Sequence, residues 1–515
     1  MSMTARGRLL AAIFSATLGG ALVAGPAAAE TLADAIALAY QNNPTILAQR
    51  ATQRALDENY VQARSGWRPT LSLSGSATWQ ENRTPLAAIQ RDVLGRPVEP
   101  TIVNGNGAGA GLTFSQPLWT GGRVAAQVSA AQADILAGRE NLRRLEAQIL
   151  GQVVQSYADV RRDQAALAIR EENVKVLTRQ LEESQARFDV GEVTRTDVAQ
   201  SQARLAQARA LFQQSQAQLA ISRATYAQVV GQNPGDLAPE PSLAYMMPAD
   251  PDQAFAIADQ NNPQLRAQQF TEQASRARVA GARAERLPNV SAQSSLRFNS
   301  ARDEPYERDL YDREFTATVN VTVPLFSGGL VSSRIRQAVE RNNTDRLTTE
   351  IVRRSVLQSI TGAWSQLIAA RANIASSEEQ VRAARIAAEG TRQEQQVGLR
   401  TTIDVLNAEQ ELRQAELNQV TARRDEYVAA ATVLTQMGRL EAKNLTPSVP
   451  QYDPTRNFRK LRMTWGWVPW EEPIGIVDHF LTPWPAPTPD AKPAEAPISP
   501  GLQPPPAVPV QGAPR

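Results

Sequence analysis

The sequence predicts a mainly α-helical chain that also carries transmembrane β-strands: two long antiparallel coiled-coil hairpins, each preceded by a pair of strands. Three observations predict it. The chain is written twice. Each copy holds one long proline-free tract with a seven-residue apolar period. Each tract is preceded by short segments in which apolar and polar residues alternate.

The duplication comes first because internal repeats decide how the rest is read. Leu38-Ala39-Tyr40-Gln41-Asn42-Asn43-Pro44 is echoed by Ile257-Ala258-Asp259-Gln260-Asn261-Asn262-Pro263, and Pro69 by Pro288, an offset of 288 − 69 = 219. Pro117-Leu118-Trp119-Thr120-Gly121-Gly122 matches Pro324-Leu325-Phe326-Ser327-Gly328-Gly329 at 324 − 117 = 207, and that offset holds through Tyr157/Trp364, Val190/Val397, Asp197/Asp404 and Gly231/Gly438. The difference of 219 − 207 = 12 residues falls between the paired prolines. One segment tolerates a change of length, as a surface loop does. The expected organisation is a repeat over 30–240, a second over 250–446, and a tail over 447–515.

The helical tracts run from Pro117 to Pro234 and from Pro324 to Pro447 without an intervening proline, and are rich in Ala, Gln, Arg, Glu and Leu, which favour helix. Val153, Val160, Leu167, Val174, Leu181 and Phe188 recur every seven residues; so do Val198, Leu205, Phe212, Leu219 and Tyr226, and, in the second copy, Ile360, Leu367, Ile374 and Val381. A sustained heptad packs as a coiled coil. Each seam breaks at a Val-Gly pair, Val190-Gly191 and Val397-Gly398, and restarts at Thr194-x-x-Asp197 and Thr401-x-x-Asp404, which read as capping boxes. Hairpins are expected over about 121–231 and 328–438, with first arms about 100 Å long at 1.5 Å per residue.

The alternating segments lie over about 70–80, 108–116, 289–299 and 314–323. Leu71, Leu73, Ala77 and Trp79 alternate with Ser72, Ser74, Ser76, Thr78 and Gln80; Phe315, Ala317, Val319, Val321 and Val323 alternate with Thr316, Thr318, Asn320 and Thr322. About 9–11 residues are enough for a tilted strand to cross a bilayer, and one apolar plus one hydroxyl- or amide-bearing face suits a barrel with lipid outside and water inside. The alternative is a pair of soluble hairpins packed on a core. If the strands do enter a membrane, four leave open edges, which hydrocarbon does not tolerate, so copies must combine. Two copies give eight strands and a filled interior; three give twelve and room for a lumen. Residues 81–107 and 300–313 are expected to be outer loops.

Composition narrows the chemistry. The 515 residues include no cysteine and one histidine, His479, with 54 Lys plus Arg against 52 Asp plus Glu. Disulfides, thiolate metal sites, cysteine nucleophiles and an acylated cysteine are excluded. His-based dyads within the body are excluded too, and no group of titratable residues suggests an enzyme, a cofactor or a metal site. A net charge of +2, spread among glutamates and glutamines, indicates no nucleic-acid partner. Residues 1–29 read as a secretory signal: Arg6 and Arg8, an apolar run from Leu9 to Ala24, then Ala27-Ala28-Ala29. A membrane anchor is the alternative, opposed by Gly19, Gly20 and Pro26. In the tail, Trp465, Trp467 and Trp470 are expected to pack on the helical body, and the Pro/Ala-rich end after Pro483 to be disordered.

The duplicated order of strands and hairpins, Asn42-Asn43-Pro44, Trp119-Thr120-Gly121-Gly122 with Phe326-Ser327-Gly328-Gly329, and Val397-Gly398-Leu399-Arg400-Thr401-Thr402-Ile403-Asp404-Val405-Leu406 together resemble the TolC family of outer-membrane efflux and secretion channels. The resemblance spans about Glu30 to Leu440. It implies a homotrimer with a 12-stranded β-barrel in the outer membrane continued by an α-barrel through the periplasm. It also implies docking onto a periplasmic adaptor and an inner-membrane transporter of the ABC or RND class. Asp404 matches the first aspartate of the family's periplasmic constriction, and Asn407 stands where a second aspartate is usual. Arg400 matches an arginine that latches the closed state against Thr196 and Asp197 of a neighbouring hairpin, while Gln395 replaces a tyrosine. Val190, Gly191, Val397, Gly398 and Leu399 match the tips that meet the adaptor. The bland reading of Asp197 and Asp404 is helix capping, and of Arg400 a solvated tip charge. The competing function is a periplasmic coiled-coil adaptor without a membrane barrel.

Overall fold

The structure, a computed structural model, describes residues 29–83, 102–300, 311–461, 463 and 466–480. The signal segment before residue 29, most of both outer loops and the Pro/Ala-rich end lie outside the described residues. Each repeat opens with two helices, α1 (Leu32–Asn42) and α2 (Pro44–Arg64) in the first, α5 (Pro251–Asn261) and α6 (Pro263–Ala284) in the second. The Asn-Pro pairs explain both breaks. Asn43 and Asn262 cap the following helix with their side chains, and proline takes the first helical position, where its missing N–H costs nothing. Asn43 Nδ2 also donates to Val229 O, and Asn262 Nδ2 to Gln436 O, so each copy ties its short helices to the far end of its own hairpin.

Strands β1 (Thr70–Arg83), β2 (Ile102–Trp119), β3 (Asn289–Ser300) and β4 (Tyr311–Thr322) form one antiparallel sheet in the order β1-β2-β3-β4. β1, β2 and β4 reach into the segments expected as loops. The glycine-rich stretch of β2 has weak intrinsic strand preference, yet its backbone pairs with β1 as far as Ile102↔Arg83; the ladder outweighs propensity. The register aligns the apolar sets. Leu73 faces Leu112, Leu112 faces Leu296, and Leu296 faces Phe315; Ala292 faces Val319 and Val290 faces Val321. Directly opposed residues share a face, so one side of the sheet is mainly apolar and the other carries Ser74, Thr113, Gln293 and Thr318. The apolar side is uncovered, with Leu73 78% and Val319 65% exposed.

Helices α3 (Arg123–Asp189) and α7 (Leu330–Gln396), 67 residues each, turn back into α4 (Arg195–Val230) and α8 (Thr402–Gln436). Both long helices start from a Gly-Gly pair at positive φ, Gly121-Gly122 and Gly328-Gly329, which turns the chain from strand to helix as only glycine does readily. Among the described residues no helix is long and apolar enough to cross a membrane. The largest core lies midway along the helices, where Leu150, Val153, Tyr157, Val160, Tyr226, Leu367 and Leu434 pack with α1. Tyr226 donates to Glu30 Oε1 (2.6 Å), and Tyr157 to Glu30 O (2.9 Å) and Ala238 O (2.6 Å). Burial pushes the Tyr157 hydroxyl up to about 12 and raises that of Tyr226.

After α8 the chain continues through α9 (Ala442–Leu445), α10 (Thr455–Leu461) and α11 (Glu471–Phe480). The tail packs on the body, but not chiefly through its tryptophans: Trp465 lies outside the described residues and Trp470 is nearly half exposed. It runs from α1 along α2 towards the sheet: Tyr452 N donates to Tyr40 Oη, Asn457 to Asp57, Phe458 packs at a tilt against Tyr60, and Glu471 pairs with Arg64 and Arg68.

Candidate functional site at the hairpin tips

The ends of the hairpins farthest from the sheet are built from the same few residues twice. α3 ends where Gly191, at φ 82°, donates from its N–H to Phe188 O (2.9 Å) and Glu192 N donates to Arg187 O (2.9 Å). α7 ends likewise, with Gly398 at φ 79°, Gly398 N to Gln395 O (3.0 Å) and Leu399 N to Glu394 O (2.9 Å). A glycine in the left-handed region lets these paired bonds satisfy the last carbonyls of a helix. The turns leave Val190, Val397 and Leu399 with 72–76% of their surface exposed, so each tip presents an apolar residue to its surroundings.

The returning helices start with complete capping boxes. Thr194 donates from its N–H (2.9 Å) and Oγ1 (2.6 Å) to Asp197 Oδ2, while Asp197 N donates back to Thr194 Oγ1 (3.3 Å). Thr401 and Asp404 repeat this at 3.1, 2.6 and 3.4 Å. The threonine hydroxyl, then its N–H, holds each carboxyl below the usual aspartate range. Both aspartates therefore do cap helices and also stay ionised, and the two roles are compatible.

Arg400 is half-exposed and pairs through Nε with Glu394 Oε2 at 2.8 Å, and this contact raises its basicity. Among the described residues of one chain it does not meet Thr196 or Asp197; the turn geometry favours Glu394, on the arm it has just left. Thr196 lies exposed in the first turn of α4. Gln395 is buried and donates to Thr402 Oγ1 (3.4 Å), so it bridges its own turn.

A residue not anticipated from the sequence joins the two hairpins. Arg204, one heptad beyond Asp197, donates from Nη2 to Asn407 Oδ1 (2.9 Å) and from Nη1 to Gln410 Oε1 (2.6 Å). Below it Leu177, Leu205, Ala208 and Leu406 form a small core shared by α3, α4 and α8. The available signal was the seven-residue step from Asp197, but that step does not reveal a partner 203 residues away. No metal-binding cluster of acidic or histidine residues occurs among the described residues.

Comparisons agree with this architecture. The family model for the outer membrane efflux protein matches residues 35–232 and 256–439, one match per repeat. The chain is 35% identical over 450 residues to outer membrane efflux protein BepC of Brucella suis, covering 87% of this chain and 94% of that one. It is 26% identical over 445 residues to outer membrane protein TolC of Vibrio cholerae, covering 85% and 97%. The outer membrane protein VceC of Vibrio cholerae, a solved structure, has the same fold with a TM-score of 0.67 at 19% identity, covering 79% of this chain and 96% of that one. Two family matches, one on each copy of the strand-and-hairpin unit, make the chain a member of the outer membrane efflux protein family.

Proposed function

We propose that this protein is the passive exit duct of an efflux or type I secretion assembly, three copies closing a 12-stranded barrel in the outer membrane and a helical tunnel in the periplasm. The sheet carries the proposal: four strands with one uncovered apolar face and two open edges cannot stand alone in a bilayer. Three such sheets supply twelve strands, enough for a water-filled lumen lined by Ser74, Thr113 and Thr318. The long helices support it as well. α7 leaves Leu347, Ile351, Ile368 and Ile386 exposed in the single chain, apolar surface that adjoining copies would cover.

The tips then form the periplasmic end. Val190-Gly191 and Val397-Gly398-Leu399 offer small apolar knobs to a periplasmic adaptor, which links the duct to an inner-membrane ABC or RND transporter. Asp404 from three chains would line the mouth, with Asn407 as a neutral second ring. In this reading Arg400 exchanges Glu394 for Thr196 and Asp197 of an adjoining hairpin when the mouth closes.

Native mass spectrometry in detergent and planar-bilayer recording test the proposal together: three copies and discrete conductance steps are expected. A stable monomer without conductance would instead favour a periplasmic coiled-coil adaptor.

A further inference from the structure

We propose that α11 is an interfacial anchor, with the phospholipids of the periplasmic leaflet of the outer membrane as its partner. The inference rests on the barrel placement above and concerns a segment outside the matched repeats.

The helix is amphipathic in the reverse sense. A helix docked on a protein in water normally buries its apolar stripe and shows its charges. Here both buried positions are carboxylates: Glu471 and Asp478 are 0% exposed, while Ile476, Val477 and Phe480 are 67, 46 and 86% exposed. Both carboxylates are paired with groups of the body. Glu471 meets Arg64 Nε at 2.6 Å and Arg68 Nε at 2.9 Å. Asp478 accepts from Thr120 N (2.8 Å) and Oγ1 (2.9 Å), Gly122 N (2.9 Å), Ala125 N (3.3 Å) and Trp67 Nε1 (3.1 Å). Asp478 thus collects the free N–H groups at the start of α3, as an acceptor at a helix N-terminus does. These carboxylates, with Ile474 packed on the Trp67 and Val124 cluster, fasten the helix to the protein, and Ile476, Val477 and Phe480 are turned away from it.

The position matches the leaflet. α11 docks where β2 ends and α3 begins, the level at which the barrel gives way to the periplasmic helices. Just before it, Trp470 donates from Nε1 to Gln116 Oε1 at 3.0 Å. Gln116 lies two and four residues beyond Phe114 and Leu112, on the strand face that also carries Leu71 and Leu73. The tail therefore sits directly below the apolar, outward face of the sheet rather than on the lumen side. Gly475 lets it lie close, since a Cβ there would stand 3.3 Å from the Trp67 ring. A tryptophan with an aliphatic and aromatic helix face at the edge of a lipid-facing belt is the arrangement that interfacial segments use.

The absence of native cysteine permits a direct test. Single-cysteine variants Phe480→Cys and Ile476→Cys of the full chain are spin-labelled in phospholipid vesicles, with Leu73→Cys on the strand and Val190→Cys at the tip as references. Collision with oxygen, which partitions into lipid, is compared with collision with a water-soluble nickel chelate. Labels at 476 and 480 are expected to resemble 73, with an oxygen preference severalfold above that at 190. Labels that meet the chelate as freely as 190 overturn the anchor, and so do labels shielded from both reagents, which would mean that an adjoining copy covers α11. If the label at 73 also meets water, the barrel placement itself fails; if only those at 476 and 480 do, the anchor alone fails.

Discussion

Arg204 holds Asn407: the guanidinium on α4 donates to the amide oxygen on α8 at 2.9 Å and so fastens the two hairpins of one chain just inside their tips. The contact occupies the residue proposed above as the neutral second ring of the mouth. An asparagine there adds no charge to the proposed mouth and supplies a neutral acceptor for arginine. If the mouth opens by parting hairpins, this clasp has to break. Arg204→Ala is expected to raise single-channel conductance in planar bilayers and to leave the melting temperature nearly unchanged, because exposed contacts of this kind are worth about 0.2–1 kcal/mol. Unchanged conductance would mean that the two hairpins move as one body.

Arg400 has two candidate partners, one in the chain and one proposed across hairpins. Arg400→Ser removes both; Glu394→Gln removes only the one seen at 2.8 Å. The expectation is a severalfold conductance rise in Arg400→Ser and little change in Glu394→Gln. Asp404→Ala is expected to weaken block by divalent cations, since a ring of carboxylates attracts cations into a narrow pore. Equal conductance in the two variants at positions 394 and 400 would leave Arg400 as a tip charge.

The capping boxes make the tips acid-sensitive. The hydroxyl and N–H of Thr194 and Thr401 depress the pKa values of Asp197 and Asp404 below their ordinary value of 3.8. A depressed folded-state pKa means a contribution that is complete above the unfolded pKa and lost as pH falls through the folded one. Hydrogen exchange in peptides covering residues 188–200 and 395–407, corrected for intrinsic rate, should therefore accelerate only below about pH 3.8. Thr194→Ala and Thr401→Ala should show the faster exchange at neutral pH, since each cap is worth about 1 kcal/mol.

The two faces of the sheet should tolerate charge unequally. Val319→Arg, on the uncovered apolar face, is expected to cost about 2–4 kcal/mol in a folding titration into lipid vesicles, and Thr318→Arg much less. Equal costs would contradict the lipid-outside assignment.

Glu471 neutralises two buried guanidinium groups. Glu471→Ala leaves Arg64 and Arg68 without it, a loss of about 3–5 kcal/mol for a broken buried pair. Limited proteolysis should then cut around α11 faster than in the unaltered chain, while the part of the tail held by Tyr452 and Asn457 and the trimer proposed above survive.

Features that repeat over short spans were legible in the amino-acid order alone. The heptads through Val153 and Val160, the Thr-x-x-Asp boxes, the glycines that end α3 and α7, and the alternation around Leu73 and Val319 are local patterns. Each follows from the period of a helix or strand or from the conformational range of one residue. They were enough to establish the duplicated order of strands and hairpins. Tertiary structure decided the rest. Only the sheet register shows that Leu73, Leu112, Leu296 and Phe315 share a face, and that β2 extends through glycines a propensity argument would assign to a loop. Arg204 with Asn407, Glu471 with Arg64, and Asp478 with Thr120 join residues about 200 to 400 positions apart. An arginine on an exposed heptad position, or an acidic residue in a tail, looks in sequence like a solvated charge. Its partner is chosen by how whole helices come to lie side by side, and no short-range period encodes that.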